Sequence, residues 1–382
     1  MRILLPLLGA ALVIAILADV FLTVLYARVG SSIFSNRLAK LIWRAFRKVA
    51  DVWPRKHATI LSFCGPVSVV ALLATWSFGL TLAIALIIYP RLGTSIHLVG
   101  AGSTPTDFFT ALLAAATSLS IAAGSDFVPQ TPLFKIFWTF TSILGMSMIT
   151  LSLTYLMQLY TALQLRNVST LRVHLATAET GDAAELIAGL GPEGDFADAT
   201  GRIADMAADV VNIKESHHFY SVLMYFRFRE PYYSATRTLL VLLDTFCLIK
   251  SALADHRYAR LKESTAVCEL WHAPMRLMTS MSCALLNKLT LDEEPIDDAT
   301  RDRWRRRYLA AVRRLQEAGI ETNSDDDAGA EIYINLRERW DRYVRQYSEH
   351  VGFGMDELDP IGTNPDQPHH AQNFRARLHS PV

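Results

Sequence analysis

The first 165 residues contain few charged side chains. Of the 37 basic and 37 acidic residues in the chain, 15 lie in this part, and the other 59 lie in the 217 residues that follow. Soluble domains usually carry about a quarter of their residues as charges. The N-terminal part is therefore too poor in charge for a free-standing soluble protein. The composition predicts a membrane domain followed by a charged soluble domain.

Sequence motifs of common catalytic, metal-binding and nucleotide-binding sites are also missing. No C-x-x-C pair occurs among the four widely spaced cysteines, which argues against a disulfide framework and a common zinc site. Gly189-Leu-Gly-Pro-Glu-Gly194 matches the letters of a dinucleotide fingerprint, but a helix precedes it and Pro192 removes an amide, so it reads as a turn between helices. No phosphate loop or nucleophile elbow is present, and outside one short segment next to a predicted span no region has the basic excess of a nucleic-acid binder. We expect neither an enzyme nor a metal, cofactor or nucleic-acid site.

Three uncharged runs are long enough to cross a bilayer, which takes about 20 apolar residues. They cover residues 3–27, 58–90 and 136–165, and the first is interrupted by Asp19 alone. A fourth apolar run, 239–249, is short and has Asp244 at its centre, which indicates a buried helix of the soluble domain. The sequence therefore predicts an all-α membrane protein with three spans.

Asp19 is the one acid inside a predicted span. Intramembrane carboxylates face protein or water and often have a role in function. Alternatively, Asp19 is a structural group, hydrogen-bonded by Thr23 or by a polar residue of the second span. The candidates on that span are Ser68, Thr75 and Ser77. The structural interpretation is slightly favoured.

A basic segment separates the first two spans. This segment contains eight Lys and Arg residues and one acidic residue, Asp51. The positive-inside rule therefore places it in the cytoplasm and Met1 outside. Apolar residues recur between these bases at helical spacing, which predicts an amphipathic helix in the lipid headgroup layer. Residues 1–57 are thus expected to form one span and one interfacial helix in the cell membrane. The charged C-terminal domain then lies in the cytoplasm.

The stretch between the second and third spans contains a short apolar helix. Residues 105–118 follow capping residues and include Asp107 near the helix start. A helix of about 14 residues is roughly 20 Å long, too short to cross the bilayer. A re-entrant helix shielded by protein fits this pattern. A segment of small residues follows and leads to Asp126-Phe-Val-Pro129.

This order of span, short helix, small-residue segment, Asp-x-x-Pro and span resembles the pore-loop potassium channel superfamily. Asp126 and Pro129 match the motif of the family, and Gly145 falls where its inner helix carries a hinge glycine. The resemblance implies a homotetrameric ion channel whose pore module covers residues 58–165. Its parts would be an outer helix (58–90), a pore helix (105–118), a filter (119–126) and an inner helix (133–165). Small residues often permit close helix packing in membranes, which is the alternative role for Gly145.

The filter departs from the Thr-Val-Gly-Tyr-Gly of the family. Ser120-Ile-Ala-Ala-Gly124 matches it by chemistry, with Ser125 as an extra residue, whereas counting back from Asp126 selects Ile121 to Ser125. In both registers the tyrosine is absent and an alanine replaces the first glycine, which disfavours the potassium geometry. We expect a weakly selective cation pore, with monovalent cations passing a filter of Ser118, Ser120, Ile121, Ala122, Ala123, Gly124, Ser125 and Asp126.

Residues 166–351 read as an all-α cytoplasmic domain. We expect helices over 168–190 with a break near Gly181, 196–228, 232–254, 258–289, 296–318 and 328–350, and a mobile tail over 352–382. A protein or small molecule acting on this domain would gate the pore through the hinge at Gly145. The alternative function is a non-conducting membrane scaffold or signalling receptor that keeps the pore-loop fold.

Aromatic residues and arginines cluster near the middle of this domain. The cluster runs from Phe219 to Tyr233 and includes Arg227 and Arg229. We interpret it as a packed corner between helices with arginines at its rim. A ligand pocket is the less favoured alternative.

Overall fold

The computed structural model describes residues 3–26, 32–100, 103–120, 126–286 and 296–359. These residues are mostly helical and divide into two compact units. The first unit takes its described residues from Met1–Phe46, Cys64–Thr161 and His218–Tyr225. The second takes them from Arg47–Phe63, Ala162–His217 and Phe226–Val382.

Six helices and two short strands come first along the chain. They are α1 (Leu4–Val20), α2 (Ser35–Val52), α3 (His57–Ser62), α4 (Cys64–Ile88), β1 (Ile96–Leu98), α5 (Phe108–Leu119), β2 (Phe127–Pro129) and α6 (Pro132–Ala176). A π-helical turn, Phe21–Leu25, continues α1. Three helical segments are long and apolar enough to cross a membrane: Leu4–Leu25, Cys64–Arg91 and Pro132–Ala176. Each contains or overlaps one of the three predicted spans.

Helix α1 packs closely on α4 in the first unit. Gly9 permits this approach, since a Cβ atom there would lie 2.5 Å from the carbonyl oxygen of Ala83. In α2, the buried side is formed by Ser35, Ala39 and Trp43, while Leu41 on another side is 63% exposed. The predicted amphipathic helix is thus present. One of its faces packs against the rest of the protein, and the apolar Leu41 is exposed.

The second unit is a helical bundle. Its remaining helices are α7 (Ala183–Leu190), α8 (Ala199–Phe219), α9 (Ala235–Ala252), α10 (Asp255–Lys262), α11 (Thr265–Leu286), α12 (Asp298–Glu317), α13 (Asp326–Val351) and α14 (Met355–Leu358). Helix α9 is buried along almost its whole length and packs against α7, α11, α12 and α13. This confirms that residues 239–249 form a buried core helix, which lies in the second unit. The break predicted near Gly181 is also present, with positive φ angles at Ala178, Glu179 and Gly181.

Asp244 of α9 is the centre of a buried ion cluster. One of its carboxylate oxygens accepts hydrogen bonds from Arg307 Nε and Nη2 at 3.0 and 2.7 Å. The other accepts from Tyr333 Oη at 2.5 Å and from Arg337 Nη1 at 2.8 Å. Both arginines also bind Asp359, at 2.5 and 3.0 Å. Because each buried charge has a partner, the bundle can hold them without isolated ions.

Five expectations need correction. The tail was predicted to begin at residue 352, but residues 352–359 fold onto the second unit through α14 and the buried Asp359. The inner helix was predicted to end at 165, yet α6 continues to Ala176 because no breaker interrupts it. The helix predicted over 196–228 ends at Phe219, and the one over 258–289 is divided near Ser264. Strands β1 and β2 were not expected at all. Residues 360–382 lie outside the described part of the chain.

Candidate functional site

The short helix between the second and third apolar helices is α5. Asp107 caps its start, with Oδ2 accepting from the Thr110 amide at 3.0 Å and Oδ1 accepting from the Thr110 hydroxyl at 2.6 Å. These hydrogen bonds, the hydroxyl one foremost, hold the pKa of Asp107 below its ordinary value. The helix begins at Phe108, three residues later than predicted, because Asp107 is its N-cap rather than a residue of its first turn; it ends at Leu119 and spans 12 residues. It is too short to cross a bilayer.

The buried residues of α5 are small. Ala111, Ala114, Ala115 and Ser118 are all fully buried, and α5 packs on α4. Side chains this small let two helices approach closely. At the start of the helix, the Phe108 ring meets Tyr89 edge to face at 5.7 Å. The helix is therefore seated in the first unit along its length.

The C-terminal end of α5 rests on α6 by backbone contact. A Cβ atom at Gly145 would lie 2.0 Å from the carbonyl oxygen of Leu119, so no larger residue fits in this arrangement. One turn before Gly145, Ser142 Oγ donates to the carbonyl oxygen of Ser118 at 2.9 Å. Gly145 is thus a contact point for the end of α5. Helix α6 is continuous through this residue.

A two-stranded sheet joins the segments on either side of α5. Strands β1 and β2 are antiparallel, with His97 opposite Val128. The Val99 amide donates to the carbonyl oxygen of Asp126 at 2.6 Å, and the Gln130 amide donates to that of Ser95 at 2.8 Å. The chain that returns after α5 is thereby fixed to the chain that precedes it. Of the two motif residues, Pro129 is the last residue of β2 and Asp126 directly precedes this strand.

The predicted filter is described at its two ends. Ser118 is buried, with its hydroxyl donating to the carbonyl oxygen of Ala115, and Ser120 caps the C-terminus of α5. Asp126 is exposed at the start of the return strand. Ile121, Ala122, Ala123, Gly124 and Ser125 lie outside the described residues. Helix α5 thus holds the chain before the predicted filter, and β2 holds it afterwards.

Asp19 is buried and accepts several hydrogen bonds. Its Oδ1 lies 2.7 Å from the amide nitrogens of both Ile33 and Phe34, just before α2. Its Oδ2 accepts from Ser35 Oγ at 2.5 Å and from Trp76 Nε1 at 2.9 Å. The carboxylate therefore caps α2 from a distance of 16 residues in the chain. Both of its oxygens thus have hydrogen-bond donors, as the structural interpretation predicts.

The partners expected for Asp19 were mostly wrong. Ser68 and Thr75 donate to carbonyl oxygens of their own helix, and Ser77 makes no contact with Asp19 among the described residues. Thr23 acts indirectly, by donating to Ser35 Oγ at 3.1 Å. Sequence reasoning missed Trp76 because it searched α4 for hydroxyls. A tryptophan within an apolar helix also carries a donor that needs an acceptor.

Trp76 begins an aromatic chain through the first unit. Its ring meets Tyr155 of α6 edge to face at 6.1 Å, and Tyr155 meets Tyr220 in the same way at 5.9 Å. Tyr220 Oη donates to Gln158 Oε1 at 2.8 Å. Asp19, α4 and α6 are therefore connected through successive contacts. No sequence pattern predicted this connection, because its members are far apart in the chain.

The aromatic segment from Phe219 to Tyr233 differs from the expected corner between helices. Residues Ser221–Tyr225 and Pro231–Tyr233 form 3₁₀ turns rather than part of a long helix. Arg229 is exposed, as expected of a rim residue, whereas Arg227 is buried. Burial and the nearby charge of Arg166 lower the pKa of His217 to about 4. That imidazole is neutral at pH 7.

No family model, curated protein or solved structure matches this chain. The resemblance to pore-loop channels therefore depends on the residues and the order of elements described above.

Proposed function

We propose that the chain is a subunit of a cation channel in the cell membrane. The observation that supports the proposal most strongly is the way in which α5 is packed. A short capped helix lies between two span-length helices, and its C-terminal end is supported by the backbone at Gly145. A helix C-terminus bears partial negative charge, which attracts cations when it points at a water-filled pore.

The remaining parts of the proposal follow from the pore-loop arrangement. One chain supplies one pore loop, so four chains are needed to surround an axis. Met1 lies outside and the bundle of the second unit lies in the cytoplasm, as the basic residues of α2 suggest. Residues 120–125 line the narrow part, and monovalent cations pass with weak preference for potassium. The cytoplasmic bundle gates the pore through α6.

Replacing the filter segment tests this proposal. We expect that Thr-Val-Gly-Tyr-Gly in place of residues 120–124 raises the preference for potassium over sodium, since the glycines allow the carbonyls to coordinate a dehydrated ion. The measurement is the reversal potential of purified protein in bilayers under opposed potassium and sodium gradients. The same replacement over residues 121–125 is the matched control for register.

Two outcomes would contradict the proposal. Particles without fourfold symmetry would exclude the shared pore. Unchanged selectivity in both replaced proteins would show that residues 120–125 do not contact the permeating ion. A non-conducting scaffold would give fourfold particles without current in the parent and in both replacements.

A further inference from the structure

Arg227 is a buried cation with few hydrogen-bond partners. Its side chain is 1% exposed, and its Nη2 lies 3.4 Å from a carboxylate oxygen of Glu357, which is a long contact. Among the described residues, Nε and Nη1 have no hydrogen-bond partner. A guanidinium has five N–H donors and does not lose its charge at ordinary pH. Arg227 therefore cannot become neutral on burial as a histidine does.

The surroundings of Arg227 compensate its charge only in part. The Phe353 ring lies 4.0 Å from the central guanidinium carbon, a cation–π contact. Gly352 is next to Nη1, since a Cβ atom built there would lie 3.6 Å from that nitrogen. The same Cβ would lie 3.5 Å from His57 and 2.7 Å from Leu61 of α3. Gly352, which directly follows α13, thus lies close to both Arg227 and α3.

Glu357 is the described carboxylate next to Arg227, and it is loosely held. Its side chain is 43% exposed, so water competes for the charge it offers. Leaving a buried cation poorly paired costs several kcal/mol. An external anion that brings more acceptor oxygens to the same guanidinium would remove this cost. Because Glu357 is exposed, the position it occupies is open to solvent.

We propose that Arg227 and residues 352–357 form a binding site for a phosphate monoester, which displaces the carboxylate of Glu357. A guanidinium binds phosphate through two parallel N–H groups. Once Glu357 is displaced, a phosphate monoester can accept from Nη2 together with Nε, or from Nη2 together with Nη1, which are the two edges of the guanidinium with parallel N–H groups. In the present geometry Glu357 reaches Nη2 alone, and Nε and Nη1 are left without a partner among the described residues.

The phosphate group has two chemical sources. One is a lipid headgroup such as that of phosphatidic acid, because Leu61 precedes by three residues the apolar helix that begins at Cys64. This source depends on the membrane arrangement proposed above, while the site itself does not. The other source is a soluble phosphate ester or inorganic phosphate. The chemistry of recognition is the same in both.

The test measures binding by the full-length protein in phosphatidylcholine nanodiscs. Inorganic phosphate is titrated by calorimetry, and phosphatidic acid is introduced into the nanodisc and detected by the rise in unfolding temperature. Phosphatidylglycerol, a phosphodiester, controls for general attraction to anionic lipid. A lipid site responds to phosphatidic acid and not to inorganic phosphate, and a soluble-ligand site responds to inorganic phosphate.

Four variants make the test specific to Arg227. Glu357→Gln removes the competing carboxylate, so we expect roughly tenfold tighter binding of the probe that the parent binds. Arg227→Met should abolish binding. Arg227→Lys keeps the charge but loses the pair of parallel N–H donors, so it should weaken binding roughly ten- to hundredfold. Arg229→Met, an exposed arginine of the same segment, should bind like the parent.

The proposal is overturned if neither probe binds the parent and the Glu357→Gln protein. It is also overturned if Arg227→Lys or Arg227→Met binds as tightly as the parent, or if Glu357→Gln weakens binding. If Arg227→Met does not fold, the lysine and Glu357→Gln variants still decide. Because binding is measured without ionic current, failure here is distinct from failure of the channel proposal.

Discussion

Asp19 illustrates how a carboxylate is stabilised within an apolar segment. It accepts hydrogen bonds from two amides before α2 and from the side chains of Ser35 and Trp76. A buried charge without such donors would be strongly unfavourable. Residue by residue, the first unit depends on a few specific polar contacts within an otherwise apolar interior.

Substitution of Asp19 should therefore reduce stability. Asp19→Asn removes the charge and replaces one acceptor oxygen with an amide group, so Ser35 or Trp76 loses its acceptor. We expect a loss of about 1–3 kcal/mol in the free energy of unfolding. Denaturant unfolding in detergent measures it, with Thr75→Val as the control because Thr75 is exposed and bonds to its own helix. An unchanged stability combined with altered ion flux would instead indicate a functional acid.

His217 should make the second unit sensitive to acid. Burial, followed by the charge of Arg166, lowers its pKa from 6.5 to about 4. As the pH falls, a histidine with a lowered pKa in the folded protein stays neutral there, whereas in the unfolded chain it binds a proton at a higher pH. Its contribution to stability is therefore complete above pH 6.5 and decreases as pH falls from about 6.5 to about 4.

The expected slope is at most about 1.4 kcal/mol per pH unit. His217→Leu should flatten the stability profile in this range, and His218→Leu, at the half-exposed neighbouring position, should keep it. Thermal unfolding across this pH range is the measurement. A profile of the His217 variant parallel to that of the parent would refute the assignment.

Among the elements, α5 and α6 meet at a point that has no space for a side chain. Gly145 lies against the Leu119 carbonyl, and Ser142 donates to the neighbouring one. This contact favours the packing role for Gly145, while a gating hinge at the same residue stays a prediction. Both roles are compatible with a continuous α6, because a glycine permits close approach and bending alike.

Gly145→Ala separates the two roles. An added methyl group has no space beside Leu119, so we expect α6 and α5 to move apart and stability to fall by roughly 1–3 kcal/mol. The proposed tetramer should then be lost. Size-exclusion chromatography and thermal unfolding measure both effects. Gly79→Ala is the matched control, since its methyl group would meet the end of the Ile16 side chain rather than backbone. Intact tetramers with altered opening would support the hinge.

Helices and their order could be read from the sequence, but their connections could not. Uncharged runs predicted three apolar helices, and the capping residues with Asp107 predicted the start of α5 to within three residues, because apolar run length and capping are local properties. The β1–β2 sheet was missed because each strand has three residues, too few for a visible alternation. Asp359 was assigned to a mobile tail because its partners, Arg307 and Arg337, are distant in the chain.

At the scale of the whole molecule, the protein combines three helices able to cross a membrane with a helical bundle held by buried ion pairs. The candidate site was predictable as a short helix between two spans. Its support by Gly145, the sheet and the Asp19 contacts was not, since it depends on tertiary packing. The proposed filter itself comes from the sequence resemblance and has to be tested by function.

The most direct test is the current carried by the purified protein in planar bilayers. With potassium on one side and sodium on the other, a channel of the proposed kind gives single-channel cation currents whose reversal potential lies slightly toward that of potassium. Chloride should not contribute to the current, because the C-terminal ends of the α5 helices favour cations. Absence of cation current at every voltage, with and without the phosphate ligands considered above, would contradict the proposed channel.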